Sequence, residues 1–526
     1  MEGSTLTRPQ PGPTPARPQT SVWDRGDRLA KLAFALLCLG FAIGFFVFPT
    51  YPVYDSYYSL LWGRDLLHGN PLVFEGFRYP TEHPLAIAAG AILQLFGGWG
   101  DRLWVALTLT SFLVLIAGVY RLGRLAATPL VGAVAAALLM TRFDYPFLAA
   151  RGYIDIPYMA LVVWAACLEA RRPRCGIPVL LLLGFAGMLR PEAWFLAAMY
   201  FVWVAWRASW RDRLIFAALA ALGPVTWAAV DFLVTGNPLF SQQYTSSSAE
   251  DLGRQRSLSE LPAAIPTFFQ DLVKLPVLIA SGFGLVLGVV ISPRRMLMPI
   301  VLLAAGLGTF IAIGVAGASV IERYLAVPAL ALMVLAAVAI AGWSMLVGGW
   351  VRTVWMIGAA GIVVFGVVFT ATRLNLSRFD NELRFRGQAH HDLNEVLDDP
   401  RVQAGLKCGP LTGPNHKIVP DSRWIAGLGD GRVLAREWVG RIEQQERDAN
   451  AGRTREGKKV RRPAPDDLTR ARLSHRGGVA IVVTSRFAIF KHAWTDASDD
   501  ARIQLPPPGF ERVKTTRFYA AYVRCP

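Results

Sequence analysis

Residues 323–344 read RYLAVPALALMVLAAVAIAGWS, a continuous apolar run that follows one arginine and one tyrosine. An α-helix rises about 1.5 Å per residue, so about 20 apolar residues cross the hydrocarbon core of a bilayer, which is about 30 Å thick. Such runs recur through the 526 residues, of which 53% are hydrophobic and only 17% charged. Because helices satisfy their own backbone hydrogen bonds in lipid, the sequence predicts an all-α polytopic membrane domain.

The positions of arginine orient the predicted spans. We place about eleven transmembrane helices, at residues 29–50, 103–120, 126–141, 155–170, 176–190, 192–206, 214–235, 275–292, 296–316, 323–344 and 351–371. With the N-terminus in the cytoplasm, the arginine clusters between spans lie on the inner side, as the positive-inside rule requires. Counting the short apolar segment 85–97 as a span would move most of these clusters outside, so we predict a juxtamembrane or re-entrant helix there. The net charge of +16 is then a topology signal and gives no reason to expect a nucleic-acid partner.

Composition divides the chain into three parts. Residues 1–28 are rich in proline, threonine and arginine and predict a disordered cytoplasmic tail. Residues 29–371 form the membrane domain. Residues 372–526 have the composition of a small soluble α/β domain, with strand-like stretches at 478–485 and 518–525, and the odd number of spans places this domain outside the cytoplasm.

Two further features of the C-terminal domain are open to a structural test. Its charged run 443–470 is predicted to be a mobile insertion. Cys408 and Cys525 could pair in an external compartment, although two cysteines alone do not establish a disulfide. The five cysteines of the chain show no metal-ligand spacing.

Several arginines lie on the predicted outer face, against the positive-inside rule: Arg78, Arg142, Arg151, Arg190 and Arg323. Positive charge on that side needs a reason, and the binding of an anion there is a natural one. Acidic residues collect at the same outer ends of the spans. This segregation favours a site at the external surface, whereas a transporter is expected to place its charged groups near the bilayer midplane.

The first external loop, residues 51–85, reads YPVYDSYYSLLWGRDLLHGNPLVFEGFRYPTEHPL. It is unusually dense in aromatic, acidic and basic residues for a connector beside lipid, where an aromatic belt would be the simpler explanation. Asp55 stands among three tyrosines at the start of a predicted amphipathic helix. The aspartate is therefore a candidate catalytic base or, alternatively, a helix N-cap.

The order and sidedness of five motifs carry a resemblance to a known family. They are Asp55 after the first span, followed by two tyrosines and LLHGNPL; RYPTEHPL at 78–85; RGYIDIPYMAL at 151–161; LRPEAW at 189–194; and ERYLAVPALAL at 322–332. In these motifs the chain resembles the GT-C superfamily of polyprenyl-phosphate-sugar-dependent glycosyltransferases, especially its protein-mannosyltransferase and aminoarabinose-transferase branch. The resemblance covers about residues 29–371 and implies a multi-pass protein of a bacterial-type plasma membrane.

The resemblance implies roles for residues at the matching positions. Asp55 and Asp155 are expected to be catalytic. The expected substrate-binding residues are Glu82, His83, Arg151, Arg190, Glu192, Arg323 and Tyr324. Arg323 is the choice for the lipid phosphate, because a guanidinium binds phosphate through two parallel hydrogen bonds.

Simpler interpretations remain open for most of these residues. Asp155 would also serve as a helix N-cap, and Glu82 and His83 would also fit a capping or interfacial role. Arg190 and Glu192 could pair with each other, and Tyr324 could belong to an aromatic belt. Asp55 and Asp155 together could hold a divalent cation, which prefers oxygen ligands, but the sequence does not establish one.

The expected partners are a polyprenyl-phosphate sugar donor, membrane lipid, and an extracytoplasmic acceptor that is a polysaccharide, a lipid or a protein. A base on the acceptor side, opposite the departing phosphate, implies inversion at the anomeric carbon. The main alternative is a transporter or flippase of lipid-linked sugars or of another anion. A third is a polymer-assembly protein without catalysis, whose C-terminal domain does the binding.

Overall fold

The computed structural model of the chain describes residues 22–251, 261–315, 321–373, 375–455, 458–485 and 505–526. It describes their side chains too, except at 22–27, 248–251, 455 and 458. Most of the predicted tail, up to residue 21, lies outside the described residues. The first part of the described chain consists of the following helices: α1 (Val22–Val47), α2 (Tyr54–Leu67), α3 (Pro84–Gln94), α4 (Gly100–Ala126), α5 (Pro129–Thr141), α6 (Asp144–Ala150), α7 (Asp155–Arg171), α8 (Ile177–Leu189), α9 (Glu192–Ala205), α10 (Trp210–Ala220), α11 (Leu222–Thr235), α12 (Phe240–Asp251), α13 (Leu261–Val273), α14 (Leu275–Ile291), α15 (Pro293–Val315), α16 (Ala326–Ala341) and α17 (Trp350–Arg373).

The apolar helices make this a multi-pass membrane protein. Within the described residues, five helical segments are long and apolar enough to cross a bilayer: Arg28–Val47, Gly97–Ala126, Pro293–Val315, Glu322–Met345 and Trp350–Arg373. Three bent pairs, α5 with α6, α10 with α11 and α13 with α14, raise that number to at most eight.

The predicted number of about eleven spans is therefore not confirmed. The difference lies in α7, α8 and α9, which have 17, 13 and 14 residues. At about 1.5 Å per residue, α8 and α9 are too short to cross a core about 30 Å thick as straight helices. The segment 85–97, predicted to be a juxtamembrane or re-entrant helix, contains α3, which has 11 residues.

Helix α16 is the centre of the membrane domain. Its sequence is apolar on every side, and its residues are almost all buried, as expected for a helix surrounded by others. It packs closely against α14, where a Cβ atom on Gly284 would lie 1.8 Å from the carbonyl oxygen of Leu335. A 3₁₀ turn, Glu322–Leu325, leads into α16 and contains Arg323 and Tyr324.

The first external loop is a packed unit. Helix α2 lies against α3 at two glycines, and a Cβ atom on Gly90 would come within 2.5 Å of the Ser59 carbonyl oxygen. Further along α2, a Cβ on Gly63 would lie 2.3 Å from the backbone nitrogen of Ala91. This close contact holds the first turn of α2, which contains Asp55, in a fixed position beside the membrane domain.

The C-terminal part of the chain is a small α/β domain. Its elements are α18 (Leu376–Leu397), α19 (Pro400–Cys408), β1 (Leu411–Gly413), α20 (Val419–Ile425), β2 (Val433–Ala435), α21 (Arg436–Asn450), β3 (Thr454–Arg455), β4 (Lys458–Lys459), α22 (Pro465–Arg476), β5 (Gly478–Val483), β6 (Glu511–Thr515) and β7 (Tyr519–Arg524). Five strands form a mixed sheet in the order β2-β1-β5-β7-β6. Strands β1, β2 and β5 are parallel, whereas β7 runs antiparallel to β5 and β6. The two predicted strand-like stretches correspond to β5 and β7.

The structure settles two smaller expectations. Cys408 and Cys525 form a disulfide that ties the end of α19 to the residue after β7. The charged run 443–470, predicted to be a mobile insertion, instead contains the end of α21, strands β3 and β4 and the start of α22.

Candidate active site

A cavity of about 1280 Å³ lies between the C-terminal domain and those ends of the membrane helices that the sequence predicts to be external. Nearly all the predicted site residues line it. We call this set the helical wall: Asp55, His83, Arg151, Asp155, Arg190, Glu192, Arg323 and Tyr324. Glu82 is the exception. The structure thus brings together residues that are up to 269 positions apart, from Asp55 to Tyr324.

Asp55 lies in the first turn of α2 and faces the cavity. The N-cap residue of α2 is Val53, which makes no side-chain cap hydrogen bond, so the capping interpretation of Asp55 is not observed. The Ser56 hydroxyl donates to the Gly152 carbonyl at 2.6 Å, and this bond fixes the turn against the start of α7. The pKa of Tyr54 lies well above its usual value. Burial is the largest cause, and the negative charge of Asp55 raises the pKa further.

Asp155, Arg190 and Glu192 form a buried ionic cluster. Nη1 of Arg190 lies 3.2 Å from Oδ1 of Asp155, and Nη2 of Arg190 lies 2.8 Å from Oε1 of Glu192. All three residues are at most 5% exposed. The sequence left open whether Arg190 pairs with Glu192. The structure shows that it does, and that Arg190 pairs with Asp155 as well. Tyr324 packs on the same guanidinium, whose carbon lies 5.5 Å from the ring centroid.

The five arginines that the sequence predicts to lie on the outer face differ in their ion-pair partners. Arg78 pairs with Glu437, and Arg142 pairs with Asp144. Arg190 pairs with both Asp155 and Glu192. Arg151 and Arg323 form no salt bridge with any carboxylate in the described part of the chain, and both line the cavity. A cavity with two uncompensated guanidinium groups is suited to anions.

His83 lies between these charges. Burial, together with the positive charges of Arg190 and Arg323, lowers its pKa to about 3, so the imidazole is neutral at pH 7. It occupies the N-cap position of α3 but makes no side-chain cap hydrogen bond. Its Nδ1 atom is buried and has no hydrogen-bond partner among the described residues.

The carboxyl group of Glu82 does not face the cavity. It lies behind the helical wall, where the hydroxyl of Ser241 in α12 contacts it and lies 2.7 Å from Oδ1 of Asp231. Burial and the neighbouring Asp231 carboxylate raise the pKa of Glu82 to about 9. The indole of Trp227 donates to the Glu82 carbonyl oxygen at 3.0 Å. Glu82 therefore joins α11 and α12 to the end of the first loop.

The opposite side of the cavity comes from the C-terminal domain, and sequence reasoning missed it. We call this set the C-terminal wall: Arg378, Glu382, Arg386, His390, His416, Lys417, Asp421, Glu437 and Tyr519. The first four residues lie on α18. Charged residues are ordinary on a soluble domain, so nothing in the sequence distinguished these from the others.

Ion pairs and hydrogen bonds join the C-terminal domain to the loop 51–85. Nη2 of Arg78 lies 3.3 Å from Oε1 of Glu437, and the Tyr79 hydroxyl donates to Asp430 at 2.5 Å. Arg423, which is 2% exposed, lies 3.0 Å from Asp430 and 3.8 Å from Asp65 of α2. The C-terminal domain is therefore fastened to the loop that positions Asp55.

A divalent cation would need oxygen ligands from this cavity. Asp55 and Asp155 are of the right chemical type, but Asp155 already pairs with Arg190. Among the described residues no group of three histidine, cysteine, aspartate or glutamate side chains is placed to hold a metal ion. We therefore assign no step of the chemistry to a metal.

Comparison with known proteins gives a structural similarity only. No family model and no curated protein sequence matches the chain. The chain is similar to the crystal structure of ArnT from Cupriavidus metallidurans bound to undecaprenyl phosphate, with a TM-score of 0.48 and 13% identity over 94% of this chain and 97% of that one. It is also similar to the Archaeoglobus fulgidus oligosaccharyltransferase tethered to an acceptor peptide, with a TM-score of 0.47 and 11% identity over 90% of this chain and 70% of that one. Similarity at this level describes the chain path and assigns no role to a residue.

Proposed function

We propose that the chain is a membrane glycosyltransferase that moves a sugar from a polyprenyl-phosphate donor to an acceptor on the extracytoplasmic side. One observation carries this proposal. A single cavity at the outer helix ends holds the carboxylate of Asp55 together with two arginines, Arg151 and Arg323, that no described carboxylate neutralises. A base and an anion-binding group in one cavity are what transfer from a lipid phosphate to a hydroxyl requires.

In the proposed reaction Asp55 accepts the proton of the acceptor hydroxyl. The acceptor oxygen then bonds to the anomeric carbon as the bond from that carbon to the phosphate oxygen breaks, and the electron pair leaves with the polyprenyl phosphate. Arg323 stabilises that phosphate through two parallel charge-assisted hydrogen bonds. Since base and leaving group lie on opposite faces of the sugar, the configuration at the anomeric carbon inverts.

The ionic cluster and His83 have supporting roles in this proposal. Arg190 is held by Asp155 and Glu192, so its charge is compensated and its position fixed. The neutral imidazole of His83 can donate or accept one hydrogen bond to a sugar hydroxyl without adding charge. Its unpartnered Nδ1 atom is consistent with such a contact.

The test is a donor panel. The purified chain is reconstituted in liposomes with a series of polyprenyl-phosphate sugars and with envelope lipid and polysaccharide fractions as acceptors. The expected result is acceptor-dependent release of polyprenyl phosphate from one donor of the series. A lipid-linked sugar that crosses the bilayer intact would instead favour the transporter.

The proposed orientation places the C-terminal domain outside the cytoplasm. The Cys408–Cys525 disulfide supports this orientation, because disulfides persist in oxidising compartments and are rare in the cytosol. An alkaline phosphatase fused after residue 526 should be active, and a green fluorescent protein in the same position should be dark. A bright fusion would contradict the orientation and point to one span too many or too few.

A further inference from the structure

Two guanidinium groups, one from each wall of the cavity, pack against the same phenylalanine. The guanidinium carbon of Arg151 lies 5.6 Å from the ring centroid of Phe147, and that of Arg386 lies 5.8 Å from it. Arg151 follows α6 in the membrane domain, whereas Arg386 lies on α18 of the C-terminal domain. Two like charges therefore lie against one ring at the junction of the two domains.

Neither group is fully satisfied. Arg386 pairs with Glu382 at 3.2 Å, but Arg151 has no carboxylate partner among the described residues. The Nε–H groups of both arginines are buried and find no acceptor in the described part of the chain. A buried donor without a partner costs free energy, and adjacent like charges repel, so this arrangement is unfavourable unless something else occupies the space.

The remaining acid nearby does not supply the missing negative charge. Asp421 of α20 also lines the cavity, and burial raises its pKa to about 8, so it is mostly protonated at pH 7. Burial, and then the charge of Arg151, lowers the pKa of Arg386 to about 10, which leaves it charged at pH 7. Among the described residues, Glu382 is the one carboxylate within salt-bridge distance of either guanidinium group.

The group proposed to hold the donor, Arg323, has different neighbours. It precedes Tyr324, whose ring packs on Arg190, whereas Arg151 packs on the rings of Phe147 and Tyr153. Arg386 also belongs to the water-soluble domain, on the side from which an extracytoplasmic acceptor arrives.

We propose that Arg151 and Arg386 form a second anion-binding site that holds a phosphate or carboxylate group of the acceptor. The assignment to the acceptor rests on the proposed function, in which Arg323 holds the donor phosphate. A guanidinium presents paired N–H donors that match the oxygens of either anion. The acceptor class implied is an anionic lipid or polysaccharide, since a neutral acceptor would add no negative charge to balance the two guanidinium groups.

The test uses inorganic phosphate as the probe and the thermal midpoint of the purified full-length chain as the readout. Phosphate is titrated with and without saturating undecaprenyl phosphate. In the wild type, phosphate should raise the midpoint by about 2–4 °C at roughly ten times its dissociation constant, and it should still do so when the lipid is bound. No further rise in the presence of the lipid would mean one anion site only, and would overturn the proposal.

Variants identify the residues. Arg151→Gln and Arg386→Gln should each abolish the phosphate response while keeping the response to the lipid. In phosphate-free buffer Arg151→Gln should have a midpoint equal to or above that of the wild type, because it removes an uncompensated charge, whereas a merely structural arginine would lower it. Arg384→Gln is the matched control, since Arg384 lies on the same helix, is exposed and pairs with Asp380. If Arg386→Gln does not fold, Arg386→Lys keeps the charge and should weaken the response.

The outcomes separate this proposal from the proposed function. Loss of the lipid response in Arg151→Gln or Arg386→Gln would assign these arginines to the donor and overturn the acceptor site. A chain that consumes a donor in the panel but shows no phosphate response retains its proposed function and lacks this site. A chain that binds phosphate as described but consumes no donor has the anion site, and its assignment to an acceptor is then wrong.

Discussion

The two walls of the cavity are built from different kinds of structure. The helical wall comes from the ends of membrane helices and from a loop packed on them, and three of its ionisable groups form the buried cluster of Asp155, Arg190 and Glu192. The C-terminal wall comes from α18 and from loops and helices around a five-stranded sheet. Many of this domain's other charges are on its exposed surface.

The difference shows where charge is informative. Beside lipid a charged side chain is costly, so its presence at a helix end indicates a use. On a water-soluble domain a charge costs little, and most surface ion pairs contribute almost nothing to stability. In the sequence, a guanidinium group therefore indicates a functional site at Arg323 but not at Arg386, although both residues line the same cavity.

The largest expected effect tests the helical wall at Asp55. Asp55→Asn has nearly the same volume but cannot accept a proton, and a positioned base contributes about 10²–10⁴-fold to rate, roughly 3–5 kcal/mol. Transfer should fall by that factor while the thermal midpoint stays within a few degrees. Glu75→Gln, an exposed acid of the same loop that does not line the cavity, is the control. A near wild-type rate in Asp55→Asn would move the base to another residue.

The next effect tests the junction between the walls. Arg423→Met leaves Asp430 and Asp65 without their buried partner, and breaking a buried ion pair costs about 3–5 kcal/mol. The thermal midpoint should fall clearly. Arg472→Met removes the exposed pair with Glu446 and should cost about 0–1 kcal/mol. Equal stability of the two variants would mean that Arg423 does not fasten the C-terminal domain.

A smaller effect is expected at Arg323. Arg323→Lys keeps the charge but loses the two-bond fork, and one charge-assisted hydrogen bond contributes about 1.5–3 kcal/mol. Donor turnover should fall by about one to two decades. Arg294→Lys, at the opposite end of the membrane helices, should leave turnover unchanged. Wild-type kinetics in Arg323→Lys would remove this residue from the phosphate site.

The smallest effect concerns Glu82, behind the helical wall. Its pKa is raised by burial from 4.5 in the unfolded chain to about 9 in the folded one, so folding favours the protonated form. This stabilisation is complete below about pH 4.5 and is lost as the pH rises towards 9. Glu82→Gln stays neutral, so its thermal midpoint should fall less over that window than that of the wild type. Parallel pH curves for the two proteins would contradict the raised pKa.

Some of the site could be predicted from the sequence, because the features that indicate it lie within short contiguous segments. Asp55, Asp155 and Arg323 each lie at or next to the start of a helix that faces the outer side, and a helix end is readable from an apolar run and the residues that bound it. Such a pattern gives the position of a residue along the chain and on one side of the membrane. It does not give the partner of the side chain.

The amino-acid sequence by itself determined the helical membrane domain and the small α/β domain after it, because hydrophobic length and composition are properties of contiguous segments. The location of the helical wall on the outer side of the membrane stays a prediction. Only the tertiary structure decided that Asp155 pairs with Arg190, that the Glu82 carboxyl group turns away towards Asp231, and that Arg386 joins Arg151 on the ring of Phe147. These contacts join residues as many as 235 positions apart, from Arg151 to Arg386, and no local periodicity encodes such distances. The contact of Arg386 with Phe147 forms when the C-terminal domain folds back over the membrane domain, whereas the other two contacts form within the membrane domain.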